Sequence, residues 1–266
     1  MITHPALFRS KLRSLALHLF NYLENNGNAD FAANGEECFI EGLFAHLAKS
    51  VHGRAVLLDV GANVGEYTQM LLDRSARLSS GAQIHLFEPT RACFGTLTSK
   101  FARLPSVILN NKAVSNIAGT AQIYYDAGGS KLASLERRNL DAYAVRLDQS
   151  ESVETIRLDD YLRERGIDHV HFLKIDIEGH EMAAFEGMGE YFSGEVLDFV
   201  QFEYGGANLD SHTTLMDLYA LFEGAGFVVA KVMRGGLEIR PYKPWMDNFC
   251  YANYVAISRR VADGLR

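Results

Sequence analysis

Short apolar runs alternate with amphipathic stretches along most of this 266-residue chain. The apolar runs have the length of buried strands and lie at 55–60, 83–88, 107–114, 170–176, 197–203, 227–232 and 251–258. The stretches with helical periodicity lie at about 65–78, 90–103, 180–187 and 212–224. Strands that alternate with helices pair in parallel through right-handed crossovers. The alternation therefore predicts an α/β fold, with a doubly wound sheet and helices on both faces.

Two segments interrupt this alternation. The segment 115–169 contains strand, loop, strand and short helix, without a clear crossover between the two strands. We therefore predict an inserted β-hairpin region there, placed to cover the ligand crevice that open α/β sheets form at the carboxyl ends of their strands. Glycines and prolines in 233–249 favour a tight loop that joins the last two strands as an antiparallel hairpin.

The N-terminal segment 1–34 is predicted to be a helical appendage or lid, ahead of a main domain at 35–266. Its first 23 residues contain no acidic residue and carry three basic ones among leucines. Such a helix either packs on the main domain or makes peripheral contact with a membrane surface. Packing on the domain is favoured, because Leu12, Leu15, Leu19 and Leu23 recur at helical spacing.

The composition limits the partners of the chain. Lys and Arg number 26 against 33 Asp and Glu, so the net charge of −7 provides no general attraction for nucleic acid. The three cysteines lack CxxC spacing, which favours neither a disulfide framework nor a zinc site and fits a reducing, cytoplasmic setting. No stretch approaches the roughly 18 apolar residues of a membrane span. The sequence does not predict an oligomeric state.

The segment LLDVGANVGEYT, residues 57–68, ends a strand with Asp59 and then turns on glycines. Gly61 and Gly65 suit a nucleotide-like ligand at the first strand-to-helix turn. Asn63 and Glu66 stand where a dinucleotide-binding fingerprint needs glycines, which disfavours a nicotinamide oxidoreductase. The segment contains no basic residue, so a phosphate beside its carboxylates would be repelled without compensation.

The turn therefore favours a cationic ligand without phosphate. S-adenosylmethionine meets this requirement, because it carries a sulfonium and an ammonium group and no phosphate. Asp59 is predicted to hold its amino-acid tail, directly or through water. Glu88, in HLFEP at the end of the next strand, is predicted to accept hydrogen bonds from both ribose hydroxyls.

Five segments taken together resemble the FkbM-type family of S-adenosylmethionine-dependent methyltransferases. They are LLDVGANVGEYT, HLFEPTRACFGTL, NNKAVSNIAGTAQIYY, IRLDDYL and FLKIDIEGHEMAAFEGM, in this order. The resemblance runs from about 35 to 258, and KIDIEGHE is its most specific part. The first 34 residues lie outside it.

The resemblance implies a Rossmann-like class I methyltransferase fold, with a seven-stranded, mostly parallel sheet whose last strand is antiparallel. It also implies O-methylation of a hydroxyl on a sugar, a glycolipid or a natural product of the polyketide type. Asp176 would face the methyl-transfer region. Carried over residue by residue, the cofactor positions are Asp59, Gly61, Asn63, Gly65, Thr68, Glu88, Asn111 and Asp176.

The segment LKIDIEGHE places acid–base side chains at the end of a central strand. Asp176 is expected to accept from the methionine ammonium, bind the acceptor hydroxyl or ligate a metal, and the sequence does not choose among these roles. Glu178 and His180 are candidates for the base, and with Asp176 they form the predicted catalytic group. Glu203 ends another strand, so Asp176 and Glu203 are the candidate ligands of a divalent metal such as Mg²⁺, whose requirement stays open.

Two functions compete. The first is an S-adenosylmethionine-dependent O-methyltransferase that acts on a small-molecule or lipid-linked hydroxylated acceptor. A nucleic-acid N-methyltransferase is disfavoured, because DIEG stands where its [DN]-P-P-[YFW] segment is expected and the charge offers no phosphate track. The second is a cofactor-binding scaffold or partner-binding domain without catalysis, which the carboxylates at both the cofactor and the reaction positions argue against.

Overall fold

An eight-stranded sheet and a smaller three-stranded sheet form the framework of the computed structural model, which describes residues 7–264. The strands are β1 (Ala55–Val60), β2 (Ala82–Phe87), β3 (Val107–Asn110), β4 (Ala113–Val114), β5 (Gly119–Tyr125), β6 (Gln149–Ile156), β7 (Val170–Ile175), β8 (Leu197–Tyr204), β9 (Phe227–Met233), β10 (Gly236–Ile239) and β11 (Ala252–Ser258). The helices are α1 (Leu7–Leu23), α2 (Phe31–Asn34), α3 (Glu36–Ser50), α4 (Glu66–Ser75), α5 (Arg91–Phe101), α6 (Leu158–Arg165), α7 (Glu181–Glu186), α8 (Gly206–Asp210), α9 (Leu215–Gly224) and α10 (Arg259–Gly264).

The large sheet has the strand order β10-β9-β11-β8-β7-β1-β2-β3. Strands β3, β2, β1, β7 and β8 pair in parallel, whereas β11 is antiparallel to both of its neighbours, β8 and β9. One buried cluster packs helices α3, α4, α5 and α10 on one face, and another packs α6, α7 and α9 on the opposite face. The predicted Rossmann-like α/β sheet with an antiparallel last strand is therefore confirmed.

The number of strands differs from the prediction of seven, because β10 adds an eighth at the edge of the sheet. The segment expected to be a tight loop first folds back on β9, and Gly236 pairs with Met233 across a two-residue turn. Gly236 has φ of +128°, a conformation that glycine adopts readily. The last two predicted strands are antiparallel neighbours, as expected, but β10 lies between them in the chain, so they do not form a direct hairpin.

The inserted region contains the predicted antiparallel pair, formed by β5 and β6. The short strand β4 joins them in the order β4-β6-β5 and makes a separate sheet. The apolar run 107–114 is thus divided between two sheets, whereas the sequence predicted a single strand. Ala113 and Val114 are buried on the small sheet, while Asn110 ends a strand of the large one.

Helix α1 forms as predicted, but its leucines do not pack on the main domain. Leu12, Leu15, Leu19 and Leu23 are all exposed, so the expectation that they face inward was wrong. The same apolar spacing arises whether a helix packs on protein or on another apolar phase, which is why the sequence could not decide. Within residues 7–264, no helix is both long enough and apolar enough to span a membrane.

Candidate functional site

A cavity of about 690 Å³ opens at the carboxyl ends of β1, β2, β7 and β8. One part of its lining is the turn that follows β1, and another comes from the connection between β5 and β6. Its volume lies within the roughly 300–1,000 Å³ typical of ligand pockets. The cavity therefore occupies the position that ligands take in open α/β sheets.

The turn after β1 depends on its two glycines. Gly61 has φ of +82°, and a Cβ atom there would lie 1.8 Å from the carbonyl oxygen of Asp176. Gly65 has φ of +83°, and its Cβ would lie 2.4 Å from the ring of Phe101. Glycine is required at both positions, since it alone allows the turn to touch the end of β7 and α4 to approach α5.

Glu88 is buried at the end of β2, where it holds the same turn. Its Oε1 accepts from the backbone N–H of Thr90 at 2.8 Å and from the Thr90 hydroxyl at 2.6 Å, and its Oε2 accepts from the backbone N–H of Asn63 at 3.0 Å. Burial raises the pKa of Glu88, although these hydrogen bonds oppose the effect. The Asn63 amide donates to the carbonyl of Ser130 at 2.7 Å and so joins the turn to the insertion.

The predicted cofactor residues divide into two groups. Gly61, Asn63, Glu88 and Asp176 line the cavity, whereas the lining does not include Asp59, Gly65, Thr68 and Asn111.

Asp59 is fully buried behind the turn and accepts from the Thr68 hydroxyl at 2.6 Å. Its other oxygen has no hydrogen-bond partner within the described chain, and burial raises its pKa. Asn111 is exposed and donates to the carbonyls of Glu88 and Pro89 at 2.9 and 3.0 Å.

Lys174 and Asp176 form an ion pair at the end of β7. The Lys174 ammonium lies 2.9 Å from the Asp176 carboxylate and 5.0 Å from the centre of the Tyr67 ring. Burial disfavours the ammonium, but Asp176, Asp59 and Glu36 outweigh this effect and raise the pKa of Lys174. Asp176 is one-third exposed, so its carboxylate faces both the lysine and the cavity.

Three more carboxylates surround Asp176. Glu178 lines the cavity and pairs with the buried guanidinium of Arg138, while burial and the Asp176 charge raise the pKa of Glu178. Glu181 accepts from the backbone N–H groups of Ile177 and Gly179, and burial raises its pKa to about 7.

Glu203 also lines the cavity, and its carboxylate has no hydrogen-bond partner within residues 7–264. Burial and the charges of Asp176, Glu178 and Glu181 raise its pKa well above the ordinary value. Among the carboxylates that line the cavity, it is therefore the one that no hydrogen bond or ion pair engages within the described residues.

His180 lines the cavity, but both of its ring nitrogens are already engaged. Nδ1 lies 2.8 Å from the Glu136 carboxylate, and Nε2 lies 2.9 Å from the Ser115 hydroxyl. These contacts tie the start of α7 to the inserted region. The geometry thus gives His180 a positioning role, with no ring nitrogen left free for a substrate.

A lysine from the inserted region pairs with a carboxylate at the start of α4. Lys131 lies 3.0 Å from Glu66, so the expectation that this carboxylate has no compensating cation was wrong. The two residues are 65 positions apart, and the local sequence around the turn gives no sign of the pair. Asp176 is likewise paired with Lys174, so Glu88 is the carboxylate at this edge that has no ion-pair partner within the described residues.

Several cavity residues were not predicted from the sequence. Tyr67, Arg138 and Tyr251 line the cavity, and the Tyr67 hydroxyl donates to Gln201. Gln201 in turn donates to the buried Glu36 carboxylate at 2.6 Å. A glutamine in the apolar strand β8 was the available signal, since a buried polar side chain needs a partner.

One cluster of side chains within residues 7–264 has the spacing of possible metal ligands, and it lies outside the cavity. His169, His171 and Asp198 come together at the amino ends of β7 and β8, far along those strands from the cavity. His171 Nδ1 accepts from the backbone N–H of Val56, which leaves the proton on Nε2 and opposes metal binding there. At Asp176, one of the two metal ligands predicted from the sequence, the Lys174 ammonium already occupies the place of a cation beside the carboxylate.

Comparison with known families accounts for these features together. Residues 59–229 match the methyltransferase FkbM domain. The chain belongs to the FkbM methyltransferase family. The matched range starts at Asp59 and includes Glu88, Asp176 and Glu203, so the cavity walls built from the large sheet lie within the family domain. The resemblance seen in the sequence is confirmed.

Relatives within and around this family carry several names. The 31-O-demethyl-FK506 methyltransferase FkbM of Streptomyces tacrolimicus is 29% identical over 77% of this chain and 84% of its own length. The 2-O-methyltransferase NoeI of Sinorhizobium fredii is 26% identical over 68% of this chain and 75% of its own. The methyltransferase sdnD of Sordaria araneosa is 29% identical, and the match covers 50% of this chain and only 60% of the length of sdnD.

Among solved structures, the methyltransferase FkbM of Methylobacillus flagellatus superposes with a TM-score of 0.48 at 16% identity. The superposition covers 76% of this chain and 43% of that one.

Proposed function

We propose that this chain is an S-adenosylmethionine-dependent O-methyltransferase that acts on a hydroxyl of a sugar, a glycolipid or a natural-product acceptor. The observation that carries the proposal is one cavity with Glu88 at its cofactor edge and the unpaired Glu203 carboxylate near Asp176. Membership of the FkbM family supports methyl transfer, and the names of the Streptomyces and Sinorhizobium relatives support oxygen as the acceptor atom.

The side chains present fit this cofactor. S-adenosylmethionine supplies an electrophilic methyl group on a cationic sulfonium when it is bound. Glu88 would accept from the ribose hydroxyls, and Asp176 would attract the ammonium group. The buried, unpartnered oxygen of Asp59 is suited to a water or an ammonium behind the turn. The glycine turn around Gly61 and Asn63 would supply the backbone surface. Outside the cavity lining, Gly65 shapes this turn, Thr68 donates to Asp59, and Asn111 donates to the carbonyls of Glu88 and Pro89.

The chemistry requires that a hydroxyl lose its proton as its oxygen attacks. Glu203 takes that proton, because its carboxylate is unpaired and its raised pKa makes it a stronger base than an ordinary glutamate. Glu178 holds the acceptor hydroxyl, and His180 keeps the insertion against α7. A divalent metal on Asp176 and Glu203 is a second arrangement, in which the metal would lower the pKa of the hydroxyl.

The acceptor is expected to have an apolar body. Leu132, Leu135 and Leu140 line the cavity from the inserted segment. A small or lipid-linked compound with a hydroxyl near Glu203 fits the volume of the cavity. The free cysteines suit a cytoplasmic setting, and nucleic acid is disfavoured by the acidic charge.

Transfer of a labelled methyl group to a panel of hydroxylated acceptors tests the proposal. The wild-type chain is expected to label at least one sugar, glycolipid or polyketide-like compound, and Glu203→Gln to reduce the rate at least a hundred-fold. Glu190→Gln is the matched control, since Glu190 is an exposed carboxylate outside the cavity. Cofactor binding without transfer to any acceptor would favour the non-catalytic scaffold. Activity that a strong chelator abolishes would assign the metal arrangement.

A further inference from the structure

Helix α1 presents an unpartnered apolar stripe on the surface of the structure. Its side chains are 49 to 72% exposed and belong to Phe8, Leu12, Leu15, Leu19, Tyr22 and Leu23. At 100° per residue, these positions fall within an arc of about 100°, which is the width of the buried face of an amphipathic helix. Arg234 lies over the Tyr22 ring, 4.0 Å from its centre, at the C-terminal end of the stripe, whereas Phe8, Leu12, Leu15 and Leu19 are exposed.

The charges on α1 are all of one sign. Arg9, Lys11 and Arg13 are its only charged residues apart from His18, and no acidic residue lies between Leu7 and Leu23. At the same angular spacing, Lys11 flanks one side of the apolar stripe, and Arg9 and Arg13 flank the other. This local basic charge stands out in a chain whose net charge is −7.

The C-terminal end of α1 is fixed to the main domain, while the stripe is left free. The Glu24 carboxylate accepts from Arg240 at 2.7 Å and from Lys231 at 3.3 Å. Phe20, on another side of the helix, packs edge-on against Trp245 with ring centres 5.8 Å apart. These contacts hold the C-terminal end of the helix, while residues 8–19 are exposed on every side, the apolar stripe included.

We propose that α1 binds the surface of an anionic membrane and lies in the plane of the interface. An apolar stripe with flanking basic residues is the pattern of interfacial helices, which bury the apolar face among acyl chains and place the charges against headgroups. A second copy of the chain is the competing occupant. In a parallel pairing along the stripe, Arg9, Lys11 and Arg13 of the two copies would come together. In an antiparallel pairing they would face the other half of the helix, which has no acidic residue, so neither pairing supplies acidic partners and charge complementarity favours the membrane.

Membrane binding would also orient the cavity. The chain runs from α1 to Gly27, whose backbone N–H donates to the carbonyl of Tyr251 at 2.8 Å, and then to Ala29 and Phe31. Ala29, Phe31 and Tyr251 all line the cavity. Helix α1 therefore projects from the rim of the proposed acceptor site.

Co-sedimentation of the full chain with lipid vesicles tests the proposal. We expect binding to vesicles of phosphatidylcholine mixed with phosphatidylglycerol, weaker binding to phosphatidylcholine alone, and release by salt. Each basic residue near an anionic surface contributes about five-fold, so R9Q/K11Q/R13Q is expected to weaken binding roughly a hundred-fold. The control K49Q/R103Q/R146Q removes three exposed basic residues elsewhere and is expected to bind as wild type.

A second pair of variants tests the apolar stripe. Leu15→Gln changes a leucine at its centre, whereas Leu17→Gln changes a leucine that is similarly exposed on the opposite side of the helix. Only Leu15→Gln is expected to weaken vesicle binding. The proposal fails if wild type does not bind the anionic vesicles, or if the two leucine variants bind equally. It also fails if α1 instead forms a lipid-free dimer that Leu15→Gln dissociates in analytical ultracentrifugation.

Discussion

Replacement of Lys174 by methionine is a direct test of the buried charge cluster. The Lys174 side chain is only 7% exposed, and its ammonium lies 2.9 Å from Asp176. Methionine keeps most of the stem but removes the charge that compensates Asp59 and Glu36, both of them buried. Removal of one partner from a buried ion pair costs about 3–5 kcal/mol. We expect about 3 kcal/mol at neutral pH, because Asp176 is partly solvated.

The loss of unfolding free energy in Lys174→Met is expected to depend on pH. Burial already raises the pKa of Asp59 and of Glu36, and loss of the nearby ammonium raises both further. A carboxyl group with a raised pKa destabilises the folded chain when it is ionised. This penalty starts to fall as the pH drops through the folded-state pKa and disappears below the pKa of the unfolded chain. The Lys174 pKa is raised, so the wild-type lysine stays charged throughout this range. The difference in unfolding free energy should therefore shrink between pH 8 and pH 5.

Urea unfolding followed by far-UV circular dichroism measures this difference at both pH values. Lys49→Met is the control, because Lys49 is exposed and its loss is expected to cost less than about 0.5 kcal/mol. Equal losses for Lys174→Met at pH 5 and pH 8 would refute the electrostatic argument. So would a loss at pH 8 no larger than that of the control.

Three further predictions concern the turn and the cavity. Gly61→Ala should destabilise the chain by several kcal/mol in urea or thermal unfolding, because its Cβ meets a backbone carbonyl. The control Gly81→Ala has φ of +69° but open space around it and should cost about 1–2 kcal/mol. Similar losses of stability in the two variants would contradict this. The rate of methyl transfer should start to fall on acidification at a pH above the ordinary pKa of a glutamate, because the pKa of Glu203 is raised. If the residual activity of Glu203→Gln falls at the same acidic pH as that of wild type, Glu203 is not the base. His180→Ala should lower kcat about ten-fold with little change in cofactor affinity. Adding Glu136→Ala to this variant should lower kcat little further, because both substitutions remove the same contact between His180 and Glu136. Additive losses of kcat would show that the two residues act independently.

The sequence predicted the parts of the site that lie on regular elements. Gly61, Glu88 and Asp176 all follow predicted strands, and the carboxyl ends of parallel strands meet at one edge of a sheet. Their convergence on one cavity therefore follows from the strand pattern. The edge strand β10 was missed because its four residues, the first of them a glycine, carry too weak a pattern.

Contacts from the insertion were not predictable in the same way. Lys131 with Glu66 and Arg138 with Glu178 are separated by 65 and 40 residues, and the two basic residues lie in an irregular connection without periodicity. The exposure of α1 had a different cause. An amphipathic pattern specifies an apolar face, but it does not specify what covers that face.

Calorimetric titration with S-adenosylhomocysteine tests the central claim most directly, because it needs no knowledge of the acceptor. The account predicts saturable binding to the wild-type chain. For Glu88→Gln it predicts binding weaker by about ten- to a hundred-fold, since a hydrogen bond to a charged group contributes about 1.5–3 kcal/mol. Unfolding measured on the same samples controls for the loss of the Asn63 and Thr90 contacts. No heat with wild type, or equal affinity in a folded Glu88→Gln variant, would contradict the account.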